Sequence, residues 1–319
     1  MDSRDDLVPM VRIKEIAPRL AGQAHSISTE HKVELIDRLT AAGVRAIEAT
    51  SFVRPDLIPG LADAEQVLAR VRRTPGVTFE CCVGNELGIR RAAAAGADRA
   101  WFLLSADERF ARDNIGRSTE ESLELLDRLA EVARDEGIGL GTYVIFAWGG
   151  PDGPARGGEA FEPIGRRLRE VGVEDWILAD SAGYASPRQL ASLVECAAEL
   201  TDMAHLTVQI HDARGMGLAG VATLVRLGLR NIDTSLAGSG GHPAMPHLPG
   251  GGVCTEDVVQ MLDLLGVSTG IDLAAVVEAA NWLEQELGVP GLGYVRRVGP
   301  VPTAAPGATT IGHFHWTEI

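Results

Sequence analysis

Eight polar or ionisable side chains stand where short apolar runs of the chain end: Glu15, Arg19, Glu48, Tyr143, Asp180, Gln209, His211 and Asp212. Carboxylates, an arginine and an imidazole gathered in one pocket can move protons, stabilise a developing oxyanion or hold a metal ion. A polar group inside an apolar strand costs free energy unless it is paired or functional. Each of these residues also has a plain structural role open to it. Glu15 and Arg19 can form an ion pair. Glu48, ahead of Ala49-Thr50-Ser51, can hydrogen-bond a loop. Asp180, ahead of Ser181-Ala182-Gly183, can cap a turn or helix. His211 suits a satisfied structural position as well as a ligand position.

The runs that carry them are Val11–Ile16, Ala46–Thr50, Thr78–Val83, Arg99–Leu104, Gly141–Phe146, Asp175–Asp180, Leu206–His211 and Asn231–Leu236. Helical patterns lie between them, over Thr29–Ala42, Ala62–Arg72, Glu86–Ala95, Thr119–Gly137, Gly158–Val171, Pro187–Ala198 and Gly217–Leu227. This alternation predicts an α/β fold, a (β/α)8 TIM barrel, over a doubly wound open sheet. In such a barrel, chemistry collects at the carboxyl ends of the strands, where these polar residues lie. Ser28 or Thr29, and Ser118 ahead of Glu121, are set to cap helices. Glycines 43, 96, 137, 172 and 228 stand where helices should stop. Gly238–Gly252 reads as a long loop over the barrel mouth carrying His242 and His247. Extra helices follow over Thr255–Leu265 and Leu273–Leu287. The expected organisation is a flexible N-terminus (1–10), one barrel domain (11–287) and an irregular C-terminal extension (288–319). His313 and His315, near its end, read as a solvated pair rather than a metal site.

The chain has 319 residues, 45% of them hydrophobic and 5% aromatic, so the core should be large and aliphatic. A net charge of −15 without a basic stripe argues against nucleic acid. A small anion is still admissible where arginines converge, and Arg54, Arg112 and Arg117 are candidates for phosphates. Cys81, Cys82, Cys196 and Cys254 show neither metal spacing nor a disulfide framework, as expected of a cytoplasmic protein. Met1–Pro9 lacks the apolar core of a signal peptide, and no apolar run reaches the roughly 18 residues of a membrane span.

Several segments, in order, resemble hydroxymethylglutaryl-CoA lyases: Val11-Arg-Ile-Lys-Glu-Ile-Ala-Pro-Arg19, Ile47-Glu-Ala-Thr-Ser-Phe-Val-Arg-Pro55, Phe110-Ala-Arg-Asp-Asn-Ile115, Leu178-Ala-Asp-Ser-Ala-Gly183, Ile210-His-Asp-Ala-Arg-Gly215 and Ser235-Leu-Ala-Gly-Ser-Gly-Gly-His-Pro243. The resemblance runs from about residue 11 to about residue 285. It implies a carbon–carbon lyase that splits a 3-hydroxyacyl-CoA or related acid by retro-Claisen chemistry, with a divalent metal as Lewis acid. It gives catalytic roles to Arg19, Glu48 and Asp180 and places Gln23 near them; Glu15 and Tyr143, from their strand positions, and Asn114 join Gln23 as candidates for substrate binding. It makes His211 a metal ligand, with Gln209 and Asp180 as further candidates. It also implies a homodimer acting on a small carboxylic acid or acyl-CoA.

The chain departs from the family pattern at the metal. Leu20 stands where the family has an aspartate, Gln209 where it has a histidine, Gly252 where it has an asparagine, and His242 where it has the loop cysteine. Mg2+ or Mn2+ favours oxygen ligands that include carboxylate. The expectation is therefore either a weakened or altered site, with His242 and His247 joining His211 around Zn2+, or no metal. In the latter case Arg19 is the electrophile and His242 the acid or base. Weak turnover of the family's standard substrate is expected.

Overall fold

The computed structural model of the chain describes residues 10–151, 153–154, 161–241, 245, 247–248, 250–288 and 291–302. Eight parallel strands close into a barrel: β1 (Arg12–Glu15), β2 (Ala46–Phe52), β3 (Thr78–Val83), β4 (Arg99–Ser105), β5 (Gly139–Ile145), β6 (Trp176–Asp180), β7 (Leu206–Ile210) and β8 (Asn231–Thr234). Each strand pairs with its sequence neighbour, and β1 pairs with β8 to complete the ring. The predicted barrel is the observed one, and all eight strands fall within the runs read from the sequence or within two residues of them.

The helices pack outside. They are α1 (Ala17–Ala24), α2 (Thr29–Ala41), α3 (Ala64–Arg70), α4 (Glu86–Ala94), α5 (Thr119–Glu136), α6 (Glu162–Val171), α7 (Pro187–Ala198) and α8 (Gly217–Leu227), followed by α9 (Thr255–Leu264), α10 (Leu273–Leu287) and α11 (Val295–Val298). Ser28 accepts the His31 N–H at 3.2 Å to start α2. Ser118 and Glu121 form a reciprocal capping box on α5. Gly137 ends α5 in left-handed backbone, a conformation that an L side chain resists. Helix α1 was not read from the sequence, and the predicted Ala62–Arg72 helix is α3, preceded by a 3-10 turn at Pro59–Leu61. Residues 158–160, the expected start of α6, lie outside the described residues. The C-terminal extension opens with α11, whose Tyr294 and Val295 N–H groups donate to Asp257.

The core divides in two. An aliphatic layer fills the space between sheet and helices, with Val11, Ile13, Ile47, Val144, Leu178 and Ile232 among its residues. Cys82, Trp101, Tyr143, Ile177 and Ala179 form a separate cluster inside the barrel. Charged side chains share that interior, and they position the site. Among the described residues no helix is long and apolar enough to cross a membrane.

Candidate active site

Lys14, on β1, is buried, and its Nζ lies 3.4 Å from Glu48 Oε2, 3.3 Å from Asp233 Oδ2 and 3.8 Å from Glu80 Oε2. The same ammonium donates to the Tyr143 hydroxyl at 3.3 Å and stands over the rings of Trp101 and Tyr143 at 4.3 and 4.9 Å. These partners come from β2, β3, β4, β5 and β8. Side chains of so many strands can meet only on the barrel axis. Strand register agrees, since Lys14 pairs with Asp233 and Glu48 with Glu80.

Arg19 joins this network from above. Pro18 lies in the first turn of α1, where its missing N–H costs nothing. The helix lacks a cap from its own N-cap residue; the Glu15 carboxylate accepts the Ala17 N–H instead, at 2.8 Å. So anchored, α1 directs Arg19 Nε to Glu48 Oε1 at 2.5 Å and Arg19 Nη1 to Gln23 Oε1 at 3.2 Å. Tyr143 donates to Glu48 Oε2 at 2.9 Å and sits 2.6 Å from Asp233 Oδ2. Trp101 Nε1 donates to Glu80 at 2.6 Å. Gln23 lines a cleft of about 580 Å3 shared with Ser26, Ser28, Lys32, Gly60 and Asp63.

The electrostatics follow from burial set against pairing. Burial alone would push the Glu48 carboxyl up, but Arg19, Lys14 and the Tyr143 hydroxyl together hold it below the usual carboxylate value. Burial would likewise lower Lys14 and Arg19, yet the neighbouring carboxylates raise both, so both remain cations. Asp233 is pushed up to about 6 by burial, only partly offset by Lys14. Burial drives the Cys82 thiol and the Tyr143 phenol upward, so neither is a ready nucleophile.

The other expected site residues lie as follows. Glu15 faces away from the barrel axis. Besides Ala17, it accepts Leu236 N–H at 2.9 Å and the Thr255 hydroxyl at 2.5 Å, so it pins strand ends instead of entering the Arg19–Glu48 network. Both oxygens of Asp180 accept backbone N–H groups, from Tyr184 at 2.9 Å and Ala185 at 3.1 Å, the turn-capping role open to it from sequence. His211 N–H donates to the Asp180 carbonyl at 3.2 Å. Gln209, in register with Asp233, brings its Nε2 to 3.0 Å from His211 Nε2. Asn114 is exposed on a π-helical segment (Ala111–Ile115), where its amide lies 3.5 Å from the Phe110 carbonyl. Arg54 and Arg112 are exposed and paired with Asp56 and Glu108. Arg117 donates to the Gly84 carbonyl. His247 is exposed; His242, His313 and His315 lie outside the described residues.

The structure thus brings Arg19, Gln23, Glu48 and Tyr143 into one hydrogen-bonded chain, with Asp180 and His211 adjacent at the ends of β6 and β7. Sequence reading passed over Lys14, Glu80, Trp101 and Asp233. The available sign was parity: Arg12 and Lys14 stand at alternate positions of β1, and Asp233 is the one charged residue of β8.

A divalent ion at the family position does not fit these residues. Leu20 is only 3% exposed and packs so closely that a Cβ on Gly240 would lie 2.7 Å from its own Cβ. Gln209 Nε2 faces His211 Nε2 at 3.0 Å, and an amide N–H donating there occupies the lone pair of that nitrogen. Among the described residues no three His, Cys, Asp or Glu side chains are grouped to hold a metal ion.

Glu15 also sets a pH dependence. Burial raises its carboxyl from 4.5 to about 7, against the opposing hydrogen bonds from Thr255, Ala17 and Leu236. A folded-state value above the unfolded one stabilises the protonated form. That stability is complete below the unfolded value and is lost as pH rises through the folded one. For Glu15 it amounts to about 3 kcal/mol. Glu256 and Asp233, also raised, act in the same direction. Urea midpoints should fall between about pH 4 and about pH 7, and Glu15→Gln should flatten that fall. An equally steep profile in the variant would exclude Glu15 as its source.

A closed ring of eight parallel strands with helices packed outside it defines the class: a TIM barrel. The family model described as HMGL-like matches residues 20–283. The hydroxymethylglutaryl-CoA lyase YngG of Bacillus subtilis is 34% identical over 287 residues, 88% of this chain and 94% of that protein. The (R)-citramalyl-CoA lyase of Chloroflexus aurantiacus is 34% identical over 303 residues, 91% of this chain and 95% of that protein. The structure of an HMG-CoA lyase from Acinetobacter baumannii with coenzyme A and 3-methylmalate superposes with a TM-score of 0.89 at 28% identity, covering 94% of this chain and 98% of that one. The chain belongs to the HMGL-like family and is a carbon–carbon lyase.

Proposed function

We propose that the chain cleaves the bond between C2 and C3 of a 3-hydroxyacyl-CoA thioester, giving a keto acid and a shorter acyl-CoA. The observation that carries the reading is the Arg19–Glu48 pair, fixed at 2.5 Å above the barrel axis. As His242 takes the proton of the 3-hydroxyl, that oxygen becomes a carbonyl and the C2–C3 electrons move to C2. The thioester oxygen then takes up enolate charge, which the preorganised guanidinium of Arg19 stabilises. Glu48 orients that guanidinium and is too strongly paired to serve as a base. Gln23 extends the site toward the cleft, which is suited to the pantetheine and nucleotide parts of a thioester. His242 is assigned the proton transfer that returns hydrogen to C2. The relatives named hydroxymethylglutaryl-CoA lyase and citramalyl-CoA lyase set the two substrates to try first. A homodimer acting in the cytoplasm completes the reading.

The test is an assay of purified protein with both thioesters, measuring keto acid and free acyl-CoA. Cleavage of citramalyl-CoA or a related acid, with weak turnover of hydroxymethylglutaryl-CoA, is the expected result. Absence of cleavage across branched 3-hydroxyacyl-CoA thioesters would overturn the proposal.

A further inference from the structure

We infer that Lys14 is a resident cation of the catalytic centre: a positioning residue whose buried ammonium carries positive charge beneath Glu48 and Arg19, in a centre that works without a divalent ion. The role given to Arg19 rests on the lyase reading above; the metal-binding measurement below does not.

Geometry is the first support. Lys14 Nζ is within 3.3 to 3.8 Å of carboxylate oxygens on Asp233, Glu48 and Glu80. Two of those carboxylates, Glu48 and Asp233, are bridged by Tyr143. A buried carboxylate without a cation is expensive and takes up a proton instead. Lys14 and Arg19 answer most of the charge on Glu48, Glu80 and Asp233. A divalent ion set among them would meet two like charges. The faces of a tyrosine and a tryptophan complete the cage around the ammonium.

The second support is independent and lies at the mouth. Leu20 packs apolar side chain against Gly240 and Gly251, with 2.7 and 2.8 Å separating it from where a Cβ on either would lie. Gln209 Nε2 and His211 Nε2 lie 3.0 Å apart. Gly252 brings no side chain. The mouth has no donor side chain at positions 20 and 252, while the barrel axis holds a cation of its own.

The consequence for catalysis is mechanical. Glu48 clamps Arg19 through one oxygen and is held through the other by Lys14 and Tyr143. Removing the ammonium leaves Glu48 with one cation, and the guanidinium loses its fixed direction toward the thioester oxygen.

Two measurements test this. The unaltered full chain, dialysed against a chelator, is titrated with Mn2+ and followed by electron paramagnetic resonance without substrate. No saturable site in the submillimolar range is expected. Stoichiometric binding abolished by His211→Ala would overturn the inference, whatever the lyase assay gives. Lys14→Met and Lys14→Arg are then compared per folded molecule. Lys14→Met should lose roughly a hundredfold in kcat with little change in KM, and Lys14→Arg, which keeps the charge, should recover part of the loss. Equal losses in both variants, or a loss confined to thermal stability, would show Lys14 to be packing alone. Failure of the unaltered protein to cleave any thioester would sink the lyase reading and leave the Mn2+ result standing.

Discussion

Arg19→Met should reduce kcat for carbon–carbon cleavage by roughly a thousandfold or more while leaving KM for the thioester within a few-fold. Methionine fills much of the same volume but offers no donor where enolate charge develops. The side chain is fixed in place before substrate arrives, by Glu48 on one nitrogen and Gln23 on another. Its contribution is therefore made at the transition state and not in ground-state binding. Arg19→Lys is the informative companion. It keeps the charge but lacks the planar fork, so it cannot hold Glu48 and Gln23 while facing substrate, and it should recover only a small part of the rate. Steady-state kinetics on both variants decide the matter. Turnover by Arg19→Met close to that of the parent would end the assignment of Arg19 as electrophile.

Glu48→Ala should be the most destabilising single change at the centre, by about 3–5 kcal/mol. The carboxylate is wholly buried and shared by Arg19, Lys14 and Tyr143. Deleting it strands two cations in the barrel and opens a void beside them. Glu48→Gln preserves the volume and one acceptor, so it should be less destabilising than Glu48→Ala while still loosening Arg19. Urea unfolding measures the difference, read as a fall in midpoint at unchanged slope. If the two variants unfold at the same midpoint as the parent, the polar network is not part of what holds the barrel.

The barrel was legible because its grammar is local. Apolar runs alternate with helical patterns, Ser28 and Ser118 start helices, and glycine ends them. Helix α1 escaped because it is eight residues long, has no side-chain cap of its own and is anchored by Glu15 from the preceding strand. The site was half legible for a related reason. Arg19, Glu48 and Tyr143 were identified and do meet. Lys14 was passed over in favour of Glu15 next to it, although the two point to opposite sides of one strand. Which of them faces the axis is set by the pairing of β1 with β8, a contact across most of the chain. At Asp180 the sequence left chemistry and a turn cap both open, and the structure shows its two oxygens accepting backbone N–H groups. The orientation of a carboxylate depends on backbone donors that become available only once the chain has folded around it.

The Glu15 carboxylate joins the start of the chain to residues made much later. Its partners Leu236 and Thr255 follow it by 221 and 240 residues. No partial ring can satisfy that buried group, because both partners follow or flank the final strand. During synthesis the early strands and helices can assemble on their neighbours, but the seam waits for the last third of the polypeptide to leave the ribosome. Sealing the cylinder is thus a late, long-range step, and the slow one by the entropy of joining such distant segments. A chain stopped short of Asn231 would lack β8 and hold an open curl of sheet with unpaired edges, prone to associate with other chains.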